Sequence, residues 1–124
     1  MTAEVALLQF MQDIRLDNTA LISPVRFAAK LAMEQQELAS FAHVHRNTIS
    51  RLPTSAALQD YLRESVRVIA AATDVKGDTE AATYWYRNQP LAPFGYKTAV
   101  QVVSEGKADE VIRYIESIEA GAGG

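Results

Sequence analysis

Between His45 and Leu52 the chain reads HRNTISRL, which gathers Arg46, Asn47, Thr48, Ser50 and Arg51 on one short segment with Ile49 and Leu52 as its apolar positions. Arginine presents a planar fork that pairs with the O6 and N7 edge of guanine, and asparagine makes the matching pair of bonds to adenine. Such a set can read base edges in a major groove. Upstream, Leu38 and Ala39 lie on a helical stretch, and Val44 closes a turn through Ala42, His43 and Val44. Met33 to Leu52 therefore reads as a helix-turn-helix, with Leu38, Ala39, Val44, Ile49 and Leu52 forming a small core that turns the polar set outward.

A second group surrounds Gln89 to Tyr96. Two prolines and a glycine make this segment a loop, yet Leu91, Phe94 and Tyr96 are apolar or aromatic, and Trp85 stands just upstream. Prolines limit the entropy lost on docking, so apolar loop tips here could enter a cleft in a protein partner. Trp85, Pro90, Leu91, Phe94, Gly95 and Tyr96 are the candidate contacts. Burial in the chain's own core is the competing reading for Trp85, Leu91 and Phe94.

Other chemistries are poorly served. The chain has no cysteine, and His43 and His45 alone, without a nearby acid, make a poor metal site. There is no serine–histidine–aspartate set, phosphate-cradling glycine loop or spaced acid pair, and Ser104 with Glu105 falls at a helix end. Neither catalysis, a metal nor a cofactor is expected.

The formal net charge of −3 over 124 residues argues against nucleic acid only until it is divided along the chain. Residues 1–23 carry one basic and three acidic side chains, 24–73 carry six basic and four acidic, and 74–124 carry five basic and eight acidic. The positive balance coincides with the helix-turn-helix, and the acidic final third suits a protein partner better than DNA. No apolar run approaches the roughly 18 residues that cross a bilayer, and the N-terminus lacks a signal-peptide pattern, so a cytoplasmic location is the default expectation.

The elements that position these groups are all helical. Residues 3–15 place Leu7, Phe10, Met11 and Ile14 at helical spacing, and Leu16 to Ile22 is a connector. Ser23 before Pro24 is a helix start, and Phe27 and Leu31 face inward. Pro53 stops the helix-turn-helix. From Ser55 to Thr73, Leu58, Leu62, Val66 and Ile69 form one stripe, a long central helix suited to dimer contact, followed by a break over Asp74 to Asp78. Asp78 caps a helix through Ala81, Ala82 and Trp85 to about Asn88. Thr98 and Gln101 form a capping box, and Gly106 ends that helix. The last helix starts near Lys107, buries Val111, Ile112, Ile115 and Ile118, and stops at Gly121, leaving Ala122 to Gly124 as a tail. The organisation is thus 1–22, an amphipathic helix and connector; 23–53, the helix-turn-helix; 54–73, the long helix; and 74–124, a C-terminal helical unit.

Two resemblances follow from these residues. Gln35, Leu38, Ala39, Val44 and Ile49 fall where Xre-type, lambda-repressor-like helix-turn-helix proteins have their Gln, Leu, Ala, Val and Ile. The resemblance implies an all-α fold, Gln35 with Gln36 near the DNA backbone, and Arg46 to Arg51 as a recognition helix. His43 stands where that family usually has a glycine, and His45 where a serine or threonine caps. From about Ala82 to Ala120 the chain resembles the toxin-binding domain of the Xre/MbcA/ParS antitoxins: Trp85 near a helix end, the loop NQPLAPFG, a short helix opened by Thr98, then Gly106 before an amphipathic helix. Gly95 stands alone where a glycine pair is frequent, and Ala99 replaces a frequent proline.

This second resemblance implies the antitoxin of a type II toxin–antitoxin pair. The cognate toxin would be an NAD-degrading RES-domain protein whose active-site cleft is covered by the C-terminal domain, and a homodimer would repress its own promoter by binding operator DNA. The small C-terminal tail could thread the toxin's cleft. Two other classes stay open: a small repressor without a toxin partner, and a pure inhibitor whose helix-turn-helix is only scaffold.

Overall fold

The computed structural model describes residues 1–119, and these form eight α-helices and one 3-10 turn. In order they are α1 (Ala3–Asp13), α2 (Pro24–Lys30), α3 (Gln35–Ala42), α4 (Arg46–Arg51), α5 (Ala56–Lys76), α6 (Thr79–Asn88), the 3-10 turn Ala92–Phe94, α7 (Ala99–Ser104) and α8 (Ala108–Glu119). Gly121 and the tail Ala122 to Gly124, read above as a helix stop and a free end, lie outside the described residues.

α5 is the axis. Over its 21 residues, about 32 Å by the helical rise, it buries Leu58, Leu62, Val66, Val68, Ile69 and Ala72, and α1, α2, α3, α6, α7 and α8 all pack on it. A fully buried leucine or isoleucine contributes about 1.5–3 kcal/mol, so this stripe alone outweighs the preferences of the short helices around it. The stripe is therefore spent on the chain's own core. The helix also outlasts the break expected from Asp74 onward, because Asp74, Val75 and Lys76 contain no helix breaker. It ends at Gly77, whose φ of 92° provides the left-handed turn and whose N–H bonds Thr73 O at 2.8 Å.

Local signals set the other boundaries. Ser23 accepts from the Arg26 N–H with Pro24 at the first helical position, Asp78 accepts from the Ala81 N–H, and Thr98 with Gln101 closes a capping box, each as its residue type requires. In α1 the inward residues are Ala6, Phe10 and Ile14, while Leu7 is half-buried and Met11, expected inside, is 40% exposed. The helix stops at Asp13 with Ile14 as its cap. In α6, Ala82, Thr83 and Tyr86 are buried while Trp85 is half-buried against the core, and in α8 Ile112 and Ile118 are half-buried beside the fully inward Val111 and Ile115. The connector after α1 is held by Gln59. This buried side chain accepts from Ile22 N–H at 3.1 Å and donates to Ile22 O and Pro53 O at 2.7 and 2.8 Å.

One hydrophobic core runs from Phe10 to Ile115. The boundaries at 22, 53 and 73 are landmarks along the chain, and the elements on either side of each share that core.

Candidate functional site

Two surfaces carry the candidate residues. The first is the unit α3, turn, α4. Glu34 and Glu37 form a capping box that starts α3, and its last residue, Ala42, is followed by His43 at φ 58°, ψ 41°. That left-handed conformation costs a residue with a Cβ about 1–2 kcal/mol and is the reason glycine is usual at such turns. Here the imidazole is fastened instead: His43 Nε2 lies 2.9 Å from Ser104 O and 3.1 Å from Ser104 Oγ, and Ser104 Oγ donates to Phe41 O at 2.6 Å. His45 performs the capping role of a serine or threonine, its Nδ1 accepting from the Asn47 N–H at 3.1 Å. Both departures at the turn therefore have a physical replacement. Each imidazole has a nitrogen engaged in this way.

α4 is pinned by Ile49, which is buried, and packs on α2 and α3. Leu52, whose spacing assigns it to that small core, is instead 61% exposed, because the helix has ended at Arg51 and Leu52 has left the helical path at φ −132°. Gln35, Gln36, Arg46, Asn47, Ser50 and Arg51 are exposed and Thr48 is half-buried, so the whole polar set is displayed apart from part of Thr48. Among the described residues, Arg26, Arg63, Arg67, Arg87 and Arg113 each face a carboxylate, whereas Arg15, Arg46 and Arg51 have none, the last two on the same helix. Two unpaired guanidinium groups on one short helix are available to an external anion or base edge.

The second group of candidates lies on α6 and the loop after it, with depressions beside Trp85 that α5, α6 and α8 line. Trp85 is half-buried and stands between two depressions, one lined by Lys76, Asp78, Glu80, Tyr84 and Gln89, the other by Ala72, Val75, Ile115 and Ile118. Tyr84 points away from the inward face of α6 and is 72% exposed. Reading the sequence for loop aromatics misses it, although the inward alternation of Ala82, Thr83 and Tyr86 leaves position 84 outward by helical period.

The loop is more ordered than its prolines imply. Leu91 N–H bonds Lys97 O and Leu91 O accepts from the Phe94 and Tyr96 N–H groups, all at 2.9 Å. The Leu91 side chain is only 1% exposed, which corrects its place among the contacts: it anchors the loop to the core and cannot meet a partner in this conformation. Phe94 is half-buried and meets Tyr114 edge-on, the ring centroids 6.0 Å apart. Pro90, Gly95 and Tyr96 are exposed. Gly95 and Tyr96 both have positive φ, 68° and 65°, so the backbone here suits a glycine at either position. Beyond the loop, Lys97 reaches Glu105, whose carboxyl it holds below the usual range.

These features describe an all-helical protein that displays an unpaired polar helix on one surface and aromatic side chains on another. Residues 71–121 match the family model of the antitoxin Xre/MbcA/ParS C-terminal toxin-binding domain. No curated protein and no solved structure matches the chain. The match starts within the last turns of α5, earlier than the resemblance from Ala82, and includes every residue that lines the two depressions beside Trp85. A toxin-binding domain of this kind points to a regulatory, non-enzymatic protein. None of the described helices is long and apolar enough to cross a membrane.

Proposed function

We propose that the chain is the antitoxin of a type II toxin–antitoxin pair, that it neutralises a RES-domain toxin by covering its active-site cleft, and that as a homodimer it represses its own operon. The observation that carries the reading is the surface around Trp85. Exposed Tyr84, half-buried Trp85 and the exposed loop residues Pro90, Gly95 and Tyr96 all fall inside the segment that matches a toxin-binding family. Aromatic side chains on a concave surface supply the rigid anchors that protein interfaces favour. Operator recognition falls to α4, supported by the exposure of Arg46, Asn47, Ser50 and Arg51 and the absence of an ion-pair partner for either arginine among the described residues.

Co-expression with the product of the adjacent gene tests the central claim. The full-length chain should restore growth and co-purify with that product, and a Tyr84→Ala, Trp85→Ala double variant that keeps its helical circular dichroism should do neither. Growth arrest in the presence of the folded wild-type chain, or full rescue by the double variant, would overturn it.

A further inference from the structure

We propose that Arg87 and Ser104, both in the segment matched to the toxin-binding family, are positioning residues for DNA recognition: they set the corner before α3 and the turn after it, and through these the presentation of α4. The inference rests on the DNA-reading role given to α4 above.

Arg87 leaves α6 and spans the corner between α2 and α3. Its Nη1 donates to Leu31 O at 2.9 Å and also to Ala32 O, while Nη2 donates to Glu37 Oε1 and Oε2 at 3.1 and 3.2 Å. Leu31 is the cap of α2, Ala32 sits at a positive φ of 53°, and Glu37 is the residue whose carboxylate also accepts the Glu34 N–H to open α3. One guanidinium thus satisfies helix-end carbonyls, holds a strained alanine in place and fixes the start of α3.

Ser104 does the equivalent work at the other end of α3. Its hydroxyl donates to Phe41 O, in the last turn of α3, and its carbonyl and hydroxyl oxygens both face His43 Nε2. With glycine at position 43 the left-handed turn would need no such tether. With histidine there, Ser104 takes over the task. α4 depends on both ends being fixed, because six residues are too few to hold a helix by their own hydrogen bonds, and among them Ile49 alone is buried. Neither Arg87 nor Ser104 belongs to α4, so their effect on DNA is through geometry.

The experiment measures the affinity of the full-length chain for the DNA upstream of its own gene, at one fixed salt concentration, in Arg87→Met, Ser104→Ala, Ser104→Thr and His43→Gly variants. Affinity for the adjacent gene product and the thermal midpoint are measured in parallel. Arg87→Met and Ser104→Ala should each bind DNA about tenfold more weakly (about 1.4 kcal/mol), with affinity for the protein partner unchanged, and Ser104→Thr, which keeps the hydroxyl, should bind as the wild type. In the His43→Gly background the Ser104→Ala effect should shrink, since glycine takes the turn unaided and only the hydroxyl's bond to Phe41 O is then lost; this coupling separates positioning from general loss of stability. Wild-type DNA affinity in Arg87→Met and Ser104→Ala, or an undiminished Ser104→Ala effect in the His43→Gly background, would overturn the proposal even where the wild type binds its promoter. A wild-type chain that does not bind that DNA would instead remove the DNA-reading role itself, and the proposal with it. Should Arg87→Met fail to fold, the Ser104 and His43 cycle decides the matter.

Discussion

Arg87 and Glu37 are 50 positions apart in the chain and meet through both oxygens of the carboxylate, with N–O distances of 3.1 and 3.2 Å. The same glutamate closes the capping box of α3, so an ion pair between the two halves of the molecule is also part of a helix start. Both side chains keep some exposure to water, which limits the pair to a modest electrostatic gain, and its importance is geometric.

Replacing Arg46 or Arg51 by alanine should weaken binding to the promoter fragment by about 1–3 kcal/mol if the side chain pairs with a base edge. If it meets a phosphate instead, the dependence of log affinity on log salt should flatten by about one unit. Anisotropy titrations at several salt concentrations distinguish the two. Unchanged affinity in both variants would exclude α4 as the reading helix.

Leu91→Ala should destabilise the fold by about 2–5 kcal/mol, the usual cost of truncating a buried leucine. Pro90→Ala, at an exposed neighbour, should cost far less. Urea denaturation followed by circular dichroism measures both, and equal costs would contradict the inward anchor described for Leu91.

Tyr96→Gly should stabilise the chain by about 0.5–1 kcal/mol, because relief of the left-handed strain exceeds the extra freedom glycine gains when unfolded. The tyrosine ring is 72% exposed and forfeits little packing. If the same variant also lowers affinity for the adjacent gene product, the ring is kept for the partner at the expense of stability. A destabilised Tyr96→Gly would show that the ring has a packing role.

Burial raises the Tyr86 phenol well above its usual range, with the neighbouring Tyr61 adding to the effect, and burial raises Tyr61 as well. Their folded values exceed their unfolded values, so the associated stability is intact below about pH 10, the unfolded tyrosine value, and is lost as pH rises beyond it. Alkaline titration followed by phenolate absorbance should therefore show Tyr61 and Tyr86 ionising together with the loss of helical circular dichroism. Tyr86→Phe removes its own phenol from the linkage and should shift the transition to higher pH. Smooth ionisation of both residues in the folded chain would contradict their burial.

Helix starts are legible in the sequence because each is a local event. Ser23 with Pro24, Asp78, and Thr98 with Gln101 cap as their types demand, and the period of Leu58, Leu62, Val66 and Ile69 identifies the buried stripe of α5. The outward polar set on α4 is legible for the same reason. What covers a surface is not. Leu91 looks like a loop tip until its backbone bonds to Phe94, Tyr96 and Lys97 fix it with its side chain inward, and the stripe of α5 does not say whether a second copy or the chain's own helices will meet it. Arg87 and Ser104 are invisible, since their partners lie 50 and more positions away and no short spacing marks a contact made by folding.

The single core from Phe10 to Ile115 bears on how such a chain can change its partner over generations. A recombination that exchanged the last fifty residues for those of another chain matching the same domain family would bring a new surface, but it would also replace Arg87 and Ser104, which meet Leu31, Glu37 and Phe41. The hybrid would inherit α4 without the contacts that fix the two ends of α3. New specificity on this scaffold is more readily reached by point changes at exposed positions such as Tyr84 and Tyr96, which leave the shared interior untouched.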